Sequence, residues 1–418
     1  MAYIPRLIDD ELDRYLRAFG ATLIEGPKWC GKTTTAMHRA SSSLLIADPR
    51  DDFAMRKIAS VNPSAAISGR VPRLIDEWQE VPKLWDAVRF ECDARGGKPG
   101  QFILTGSATP RDDRGPMHSG AGRVGRLKMG TLTLSESGVS DGSASLSAML
   151  SGERFGGVGS LSLASIAELV VRGGWPATIE LPTSTAMLRA REYVEVVCYE
   201  DVSAVDGVRR DPARVRSLIR SLARNESTLA SNNTLVRDMG IDASRQTVSS
   251  YLDVLGRLNF TDDIPAWDPA LRSPVPLRVS AKRHLADPSL AAAALAADVD
   301  SLVTDVKTLG LLFESLVLHD LKVYAMACGA SLGHYHDAEG LEADAIVSTP
   351  GGGWAAFEVK LGKGQVEEAA ANLARVETKL VAAGERPASV KCVVVGFGEP
   401  AYVTDNGVQV VPVDLLGA

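Results

Sequence analysis

The run Gly26-Pro27-Lys28-Trp29-Cys30-Gly31-Lys32-Thr33 sets two glycines, a lysine and a threonine at the spacing G-x-x-x-x-G-K-[ST]. The chemistry served by this spacing is the cradling of phosphate. Glycines at 26 and 31 let the backbone turn back and aim N–H groups at phosphate oxygens, and a following helix N-terminus adds partial positive charge. Lys32 would reach the outer phosphates, and the Thr33 hydroxyl would ligate Mg2+. The candidate nucleotide-binding residues are therefore Gly26, Pro27, Lys28, Trp29, Cys30, Gly31, Lys32, Thr33 and the adjoining Thr34. The bland alternative is a glycine- and lysine-containing turn with no ligand. Context weighs against it: Ala21 to Glu25 enters as a short apolar strand, and Thr34 to Arg39 leaves as a helix. Cys30 lies beside loop N–H donors that would lower a thiol pKa, so it is either a redox-sensitive thiol or an inert small residue.

A second set follows in Val71-Pro72-Arg73-Leu74-Ile75-Asp76-Glu77-Trp78-Gln79. Two adjacent carboxylates past a short apolar strand suit a nucleotide-hydrolysing site. Asp76 would hold the Mg2+ shell, and Glu77 would orient and deprotonate the attacking water. The competing explanation is a solvated helix N-terminus that favours acidic residues. The stretch Gln101-Phe102-Ile103-Leu104-Thr105-Gly106-Ser107 is a third strand with a small polar exit, where Thr105 or Ser107 would sense the terminal phosphate. No Asn-Lys-x-Asp guanine-reading motif occurs, which favours ATP over GTP.

The third set lies far downstream: Asp344 in the strand-like Glu342 to Val347, then Glu358-Val359-Lys360 ending the strand-like Trp354 to Lys360. Strand alternation puts Glu358 and Lys360 on one face, and a Pro-Gly turn places Asp344 on the neighbouring hairpin strand. Two carboxylates so placed can share Mg2+ while the lysine positions or activates water. Glu314, on the amphipathic helix from Leu309 to Leu318, can reach the same place. Solvent-facing carboxylates with Lys360 paired to one of them are the plain alternative. A helix from Gln365 to Ala383 and a strand from Val390 to Val395 complete an element order that is similar to the PD-(D/E)xK nuclease-like fold.

The elements that must position these groups alternate between strand and helix, which predicts a parallel sheet with ligands at the carboxyl ends of its strands. Leu12, Tyr15, Leu16 and Phe19 recur at helical spacing ahead of the first strand, and Leu44 to Pro49 reads as a buried strand. The segment from Ser135 to Ser160 is rich in Ser and Gly, the composition of a linker. Asp211-Pro212 is a helix start, with Val215, Leu218, Ile219 and Leu222 as its buried stripe. Thr234 to Met239, a turn at Gly240, and Ser244 to Leu255 then form a helix-turn-helix pattern whose second helix exposes Arg245, Gln246, Thr247 and Ser249. Arg257 to Phe260 reads as the strand of a wing. Such a unit is equally a DNA reader or a packing module, and Asp238, Asp242 and Asp253 balance its basic residues.

A chain of 418 residues exceeds one ordinary core, and a net charge of −7 supplies no global attraction to nucleic acid or membrane. Any DNA contact must come from a local surface. Cys30, Cys92, Cys198, Cys328 and Cys392 show no CxxC spacing, which predicts reduced thiols. The N-terminus is acidic and no apolar run approaches spanning length, so the expected location is cytoplasmic, without membrane contact.

The order of these motifs, with Ala121-Gly122-Arg123-Val124-Gly125-Arg126 after the third strand, resembles a widespread prokaryotic family of AAA-type ATPases bearing a C-terminal domain of unknown function. The resemblance covers nearly the whole chain. It implies that Arg123 or Arg126, following a flexible loop from Arg111 to Gly122, neutralises transition-state charge in cis or from a neighbouring subunit of a homo-oligomer. The expected architecture is α/β: a parallel-sheet P-loop ATPase domain over 1–134, a linker over 135–165, a helical winged-helix-like domain over 166–285, and an α/β nuclease-like domain over 286–418. The expected cofactors are ATP and Mg2+. The expected function is ATP hydrolysis coupled to a DNA-directed nuclease-like half, or a nucleotide-controlled switch whose nuclease-like domain binds protein without cleaving.

Overall fold

The computed structural model describes residues 3–107, 120–240, 243–268, 280–398 and 400–418. The chain folds into two compact units, one of Met1–Thr131, Tyr199–Arg210 and Tyr251–Phe260, the other of Leu132–Cys198, Asp211–Ser250 and Thr261–Ala418.

The first unit is built on β1 (Ala21–Glu25), β2 (Ser42–Leu45), β3 (Arg73–Asp76), β4 (Phe102–Gly106) and β5 (Val124–Lys128), in the order β2-β3-β4-β1-β5. Every neighbouring pair is parallel. Parallel strands covered on both faces read as continuous apolar runs, and β4 is buried throughout. Leu23, Leu44, Ile75 and Leu104, one from each of four strands, pack with Trp78, Leu84, Trp85 and Val88 beneath the helix Lys83–Ala94. Each such side chain contributes roughly 1.5–3 kcal/mol by leaving water. The topology decides what meets at the carboxyl edge. Because β4 lies between β1 and β3, Thr105 is registered beside both Ile24 and Asp76. Two segments from later in the chain join this unit. They are tied to each other by the Arg210 guanidinium 5.9 Å above the Tyr251 ring and by an Arg257 donation to the Val205 carbonyl.

In the second unit, the strands are β6 (Ala144–Ser145), β7 (Gly157–Val158), β8 (Ser331–His336), β9 (Glu342–Ser348), β10 (Trp354–Lys360), β11 (Val390–Val395), β12 (Pro400–Val403), β13 (Gln409–Pro412) and β14 (Leu416–Gly417). Seven of them make one sheet, β7-β12-β13-β11-β10-β9-β8. The hairpin β9–β10 is antiparallel with Phe357 opposite Ala345, and β10 pairs parallel with β11 through the crossover helix Val366–Ala382. The long helix Val306–Ala327 buries Leu309, Phe313, Leu316 and Leu321.

Three expectations change. The Ser/Gly-rich segment over 135–165 is a stitched element, not a free linker. Here β6 pairs with β14, β7 pairs with β12, and Ser160 donates from both N and Oγ to Asp414 Oδ2. Its small residues permit close backbone approach: a Cβ on Gly417 would stand 2.7 Å from Gly142 Cα. The wing strand is displaced. Arg257 still belongs to the helix Arg245–Arg257, which ends when Asn259 takes φ 52° and Phe260 N donates to Leu255 O, a left-handed cap. Antiparallel bridges follow instead at Thr261 with Leu285 and Ile264 with Lys282. Third, the helical region over 166–285 is shared between the two units and does not form a body of its own. Most of the expected loop from Arg111 to Gly122, and Asp242, lie outside the described residues. Among the described residues no helix is long and apolar enough to cross a membrane.

Candidate functional site

Strand β1 delivers Gly26 to the carboxyl edge of the first sheet, and Gly31, at φ 106°, starts the helix Lys32–Arg39 as its left-handed cap. Lys32 is buried and curls over the loop, its Nζ donating to Gly26 O at 2.8 Å and Pro27 O at 2.7 Å. Arg6 fastens the loop from outside the motif, donating to Cys30 O at 2.9 Å and Thr131 O at 2.9 Å. Cys30 is fully buried with Sγ 3.6 Å from Met129 O, the setting of an inert packing residue. Trp29 and Thr34 are exposed. Lys28 pairs at 2.5 Å with Asp201, a carboxylate brought in by the later segment Tyr199–Arg210. Gly26 has no freedom to change, because a Cβ there would stand 2.1 Å from the Met129 carbonyl oxygen. Gly26→Ala is expected to lower stability by about 1–3 kcal/mol, the ordinary cost of overpacking against backbone, measurable by denaturant titration.

Beside the loop, Asp76 Oδ1 accepts from Thr33 Oγ1 at 2.7 Å and from Thr105 Oγ1 at 2.6 Å. One carboxylate oxygen of β3 therefore ties together β4 and the first turn of the helix that leaves the loop. Glu77 follows in the left-handed region, φ 55°, a conformation that a side chain adopts only when its surroundings enforce it. Its Oε2 accepts from Ser107 Oγ at 3.3 Å and from Gln79 Nε2. Gln79 was not legible as a site residue; its only sequence signal is its place two residues beyond Glu77.

The two arginines lie elsewhere. Arg123 precedes β5, whose register sets Val124 beside Ala21 and Lys128 beside Glu25, so it stands at the sheet end opposite the loop and pairs with Asp93 at 2.9 Å. Arg126 pairs with Glu25 at 3.1 Å and stacks over Trp85. Among the described residues, neither arginine hydrogen-bonds the loop.

The second unit holds a buried charge cluster. Asp344 Oδ2 accepts from Val359 N at 2.9 Å, and Lys360 Nζ lies 2.6 Å from Glu358 Oε2 and 3.6 Å from Asp344 Oδ2. Asn372 Nδ2 donates to Glu358 Oε1 at 2.8 Å. Glu314 belongs to the same cluster, as the helix spacing suggested. The unexpected member is Lys282, whose ammonium stands 2.7 Å from Glu314 Oε1 and 3.1 Å from Asp344 Oδ1. Burial, aided by Asp344, raises Glu314 to about 7 and Glu358 to about 8. Burial also opposes the charge on Lys282, but Asp344 and Glu314 override it and hold the ammonium charged. This differs from a Mg2+ shared by Asp344 and Glu358: each carboxylate is already engaged by a lysine. Among the described residues no group of three or more His, Cys, Asp or Glu side chains is gathered to hold a metal ion.

Sheet order, loop and paired carboxylates define the class: the first unit carries an AAA-type, ATP-binding P-loop domain, and residues 18–138 match the family model described as an AAA domain. Residues 163–301 and 309–416 match two further models, each described as a domain of unknown function (DUF8612 and DUF4143). The chain is similar to uncharacterized proteins of Mycobacterium tuberculosis and Mycobacterium bovis, each 25% identical over 352 residues, which is 84% of this chain and 72% of each relative. Among solved structures it is similar to the Walker-type ATPase PABY2304 of Pyrococcus abyssi, at 13% identity and a TM-score of 0.40, over 68% of this chain and 94% of that one.

Proposed function

We propose that the chain is a Mg2+-dependent ATPase whose turnover is coupled to a DNA-directed, nuclease-like second unit. The observation that carries the ATPase reading is the meeting of Thr33, Thr105 and Asp76 on one carboxylate oxygen, beside Lys32 and Glu77. In this reading Lys32 leaves the loop carbonyls for the outer phosphates, Thr105 and Ser107 read the terminal phosphate, and Glu77 deprotonates water. Thr33 and Asp76 offer the hard oxygen donors that Mg2+ takes, and the ion would supply charge neutralisation on the phosphates. Arg123 or Arg126 would neutralise transition-state charge, in cis or from a neighbouring subunit.

Lys32→Ala is the direct test. ATP affinity is expected to fall by about tenfold or more, because a charge-assisted contact worth about 1.5–3 kcal/mol is lost. Unchanged affinity by calorimetric titration would remove the assignment.

For the second unit, the exposed Arg245, Gln246 and Ser249 at the start of the helix Arg245–Arg257 support a DNA-directed surface. A second reading, in which ATP controls a nuclease-like unit that binds a protein partner without cleavage, is favoured by the ammonium of Lys282 among the carboxylates.

A further inference from the structure

Carboxylates gathered in a protein interior require a counter-charge, and a divalent cation and an ammonium are alternative ways to supply it. A Mg2+ ion is held by one or two carboxylates at about 2.0–2.1 Å, with water completing its shell. Glu314 and Asp344 are such a pair, contributed by the helix Val306–Ala327 and by β9. The space between them holds the Lys282 ammonium, at 2.7 Å from one and 3.1 Å from the other. All three side chains are largely buried, at 10%, 14% and 9% exposure for Lys282, Glu314 and Asp344. Three of the four remaining carboxylate oxygens of Glu314, Asp344 and Glu358 are also engaged. Asp344 Oδ2 takes the Val359 N–H, Glu358 Oε2 takes Lys360, and Glu358 Oε1 takes Asn372. An ion entering between Glu314 and Asp344 would have to expel an ammonium from its two buried acceptors.

We infer that Lys282 is the resident cation of this cluster, standing where a divalent ion would bind between Glu314 and Asp344, so that the native second unit takes no catalytic Mg2+. The inference rests on the nuclease-like reading of β9 and β10. It adds a reason why the unit binds without cutting, and it implies that a single substitution converts a charge-compensated cluster into a metal site. Replacing the ammonium by a methyl thioether of similar length keeps the volume and leaves two carboxylates seeking a cation.

The test uses the full chain, free of nucleotide, titrated with Mn2+ and followed by the paramagnetic resonance of the free ion. Wild type and Asp344→Asn are expected to bind the same number of Mn2+ ions. Lys282→Met is expected to bind one more, with an upward shift of its melting temperature in Mn2+ that wild type lacks, and Lys282→Met/Asp344→Asn is expected to lose that extra ion. If Asp344→Asn removes an ion from wild type, the native cluster holds metal and the inference is overturned, while the nuclease-like reading gains. That comparison decides even if Lys282→Met does not fold. A folded Lys282→Met that gains no ion also overturns it. If the variant gains the ion and cleaves plasmid DNA, both stand; if it gains the ion and leaves the plasmid intact, Lys282 stands as the resident cation and the nuclease-like reading loses.

Discussion

Glu77→Gln is expected to lower the rate of ATP hydrolysis by on the order of 10²-fold or more while leaving ATP affinity close to that of the wild type. The amide has the size of the carboxylate and keeps one oxygen to accept from Ser107 Oγ, so the contacts that hold position 77 survive. What it loses is basicity. The surrounding structure holds the residue in a left-handed backbone conformation that costs on the order of 1–3 kcal/mol for a residue bearing a side chain. Such strain persists where the placement of a side chain matters, and the direction from strain to role is the testable step. Glu77 does not bind the loop, and its partners are Gln79 and Ser107, so removing its charge leaves the phosphate cradle formed by Lys32 and the loop backbone unchanged. Steady-state hydrolysis and equilibrium ATP titration on the same preparation check both halves. Turnover equal to wild type would show that another group activates the water. A parallel loss of affinity would show that Glu77 acts through the loop.

The first site was legible because its chemistry is local. A glycine-bounded loop between a strand and a helix occupies eight consecutive residues, and the two carboxylates end one apolar strand. Strand bounds were equally plain where burial is continuous: β10 and β11 run over the residues that the apolar pattern marks. The segment Ser135 to Ser160 misled because serine and glycine serve two opposite ends. They solvate a linker, and they also let one backbone approach another, as the pairing of β6 with β14 requires. Lys282 had no signal at all. It lies 32 residues from Glu314 and 62 from Asp344, and a lysine ahead of a polar turn reads as a solvated residue. Asp201 escaped for the same reason, 173 residues from the loop lysine it pairs with. Helical periodicity likewise shows which face of a helix is buried, but not which core receives it. Hence the passage of Tyr199–Arg210 and Tyr251–Phe260 into the first unit emerges only from the folded chain.

A buried acid outside both sites supplies the second large effect. Glu226 is 1% exposed, accepts from Ser315 Oγ at 2.8 Å and from Leu285 N at 3.0 Å, and lies 3.4 Å from His284 Nδ1. Burial raises it from an ordinary 4.5 to about 8 against the opposing pull of those two donors, and burial also lowers His284 from 6.5 to about 3. The folded chain therefore keeps a proton on Glu226 that the unfolded chain gives up. Its stabilising contribution is complete below 4.5 and is lost as pH rises toward about 8. His284 acts in the opposite sense: its contribution is present above 6.5 and is lost as pH falls. Glu226→Gln fixes the neutral state, retains an acceptor for Ser315 and Leu285, and leaves the histidine free to titrate. Its stability should match wild type near about pH 4 and exceed it by on the order of a few kcal/mol near about pH 8.5, since each tenfold change in proton affinity is worth roughly 1.4 kcal/mol. Denaturant titrations of the two proteins across this range measure the gap directly. A gap that stays constant, or that closes as pH rises, would mean that the folded chain ionises Glu226 as readily as the unfolded one.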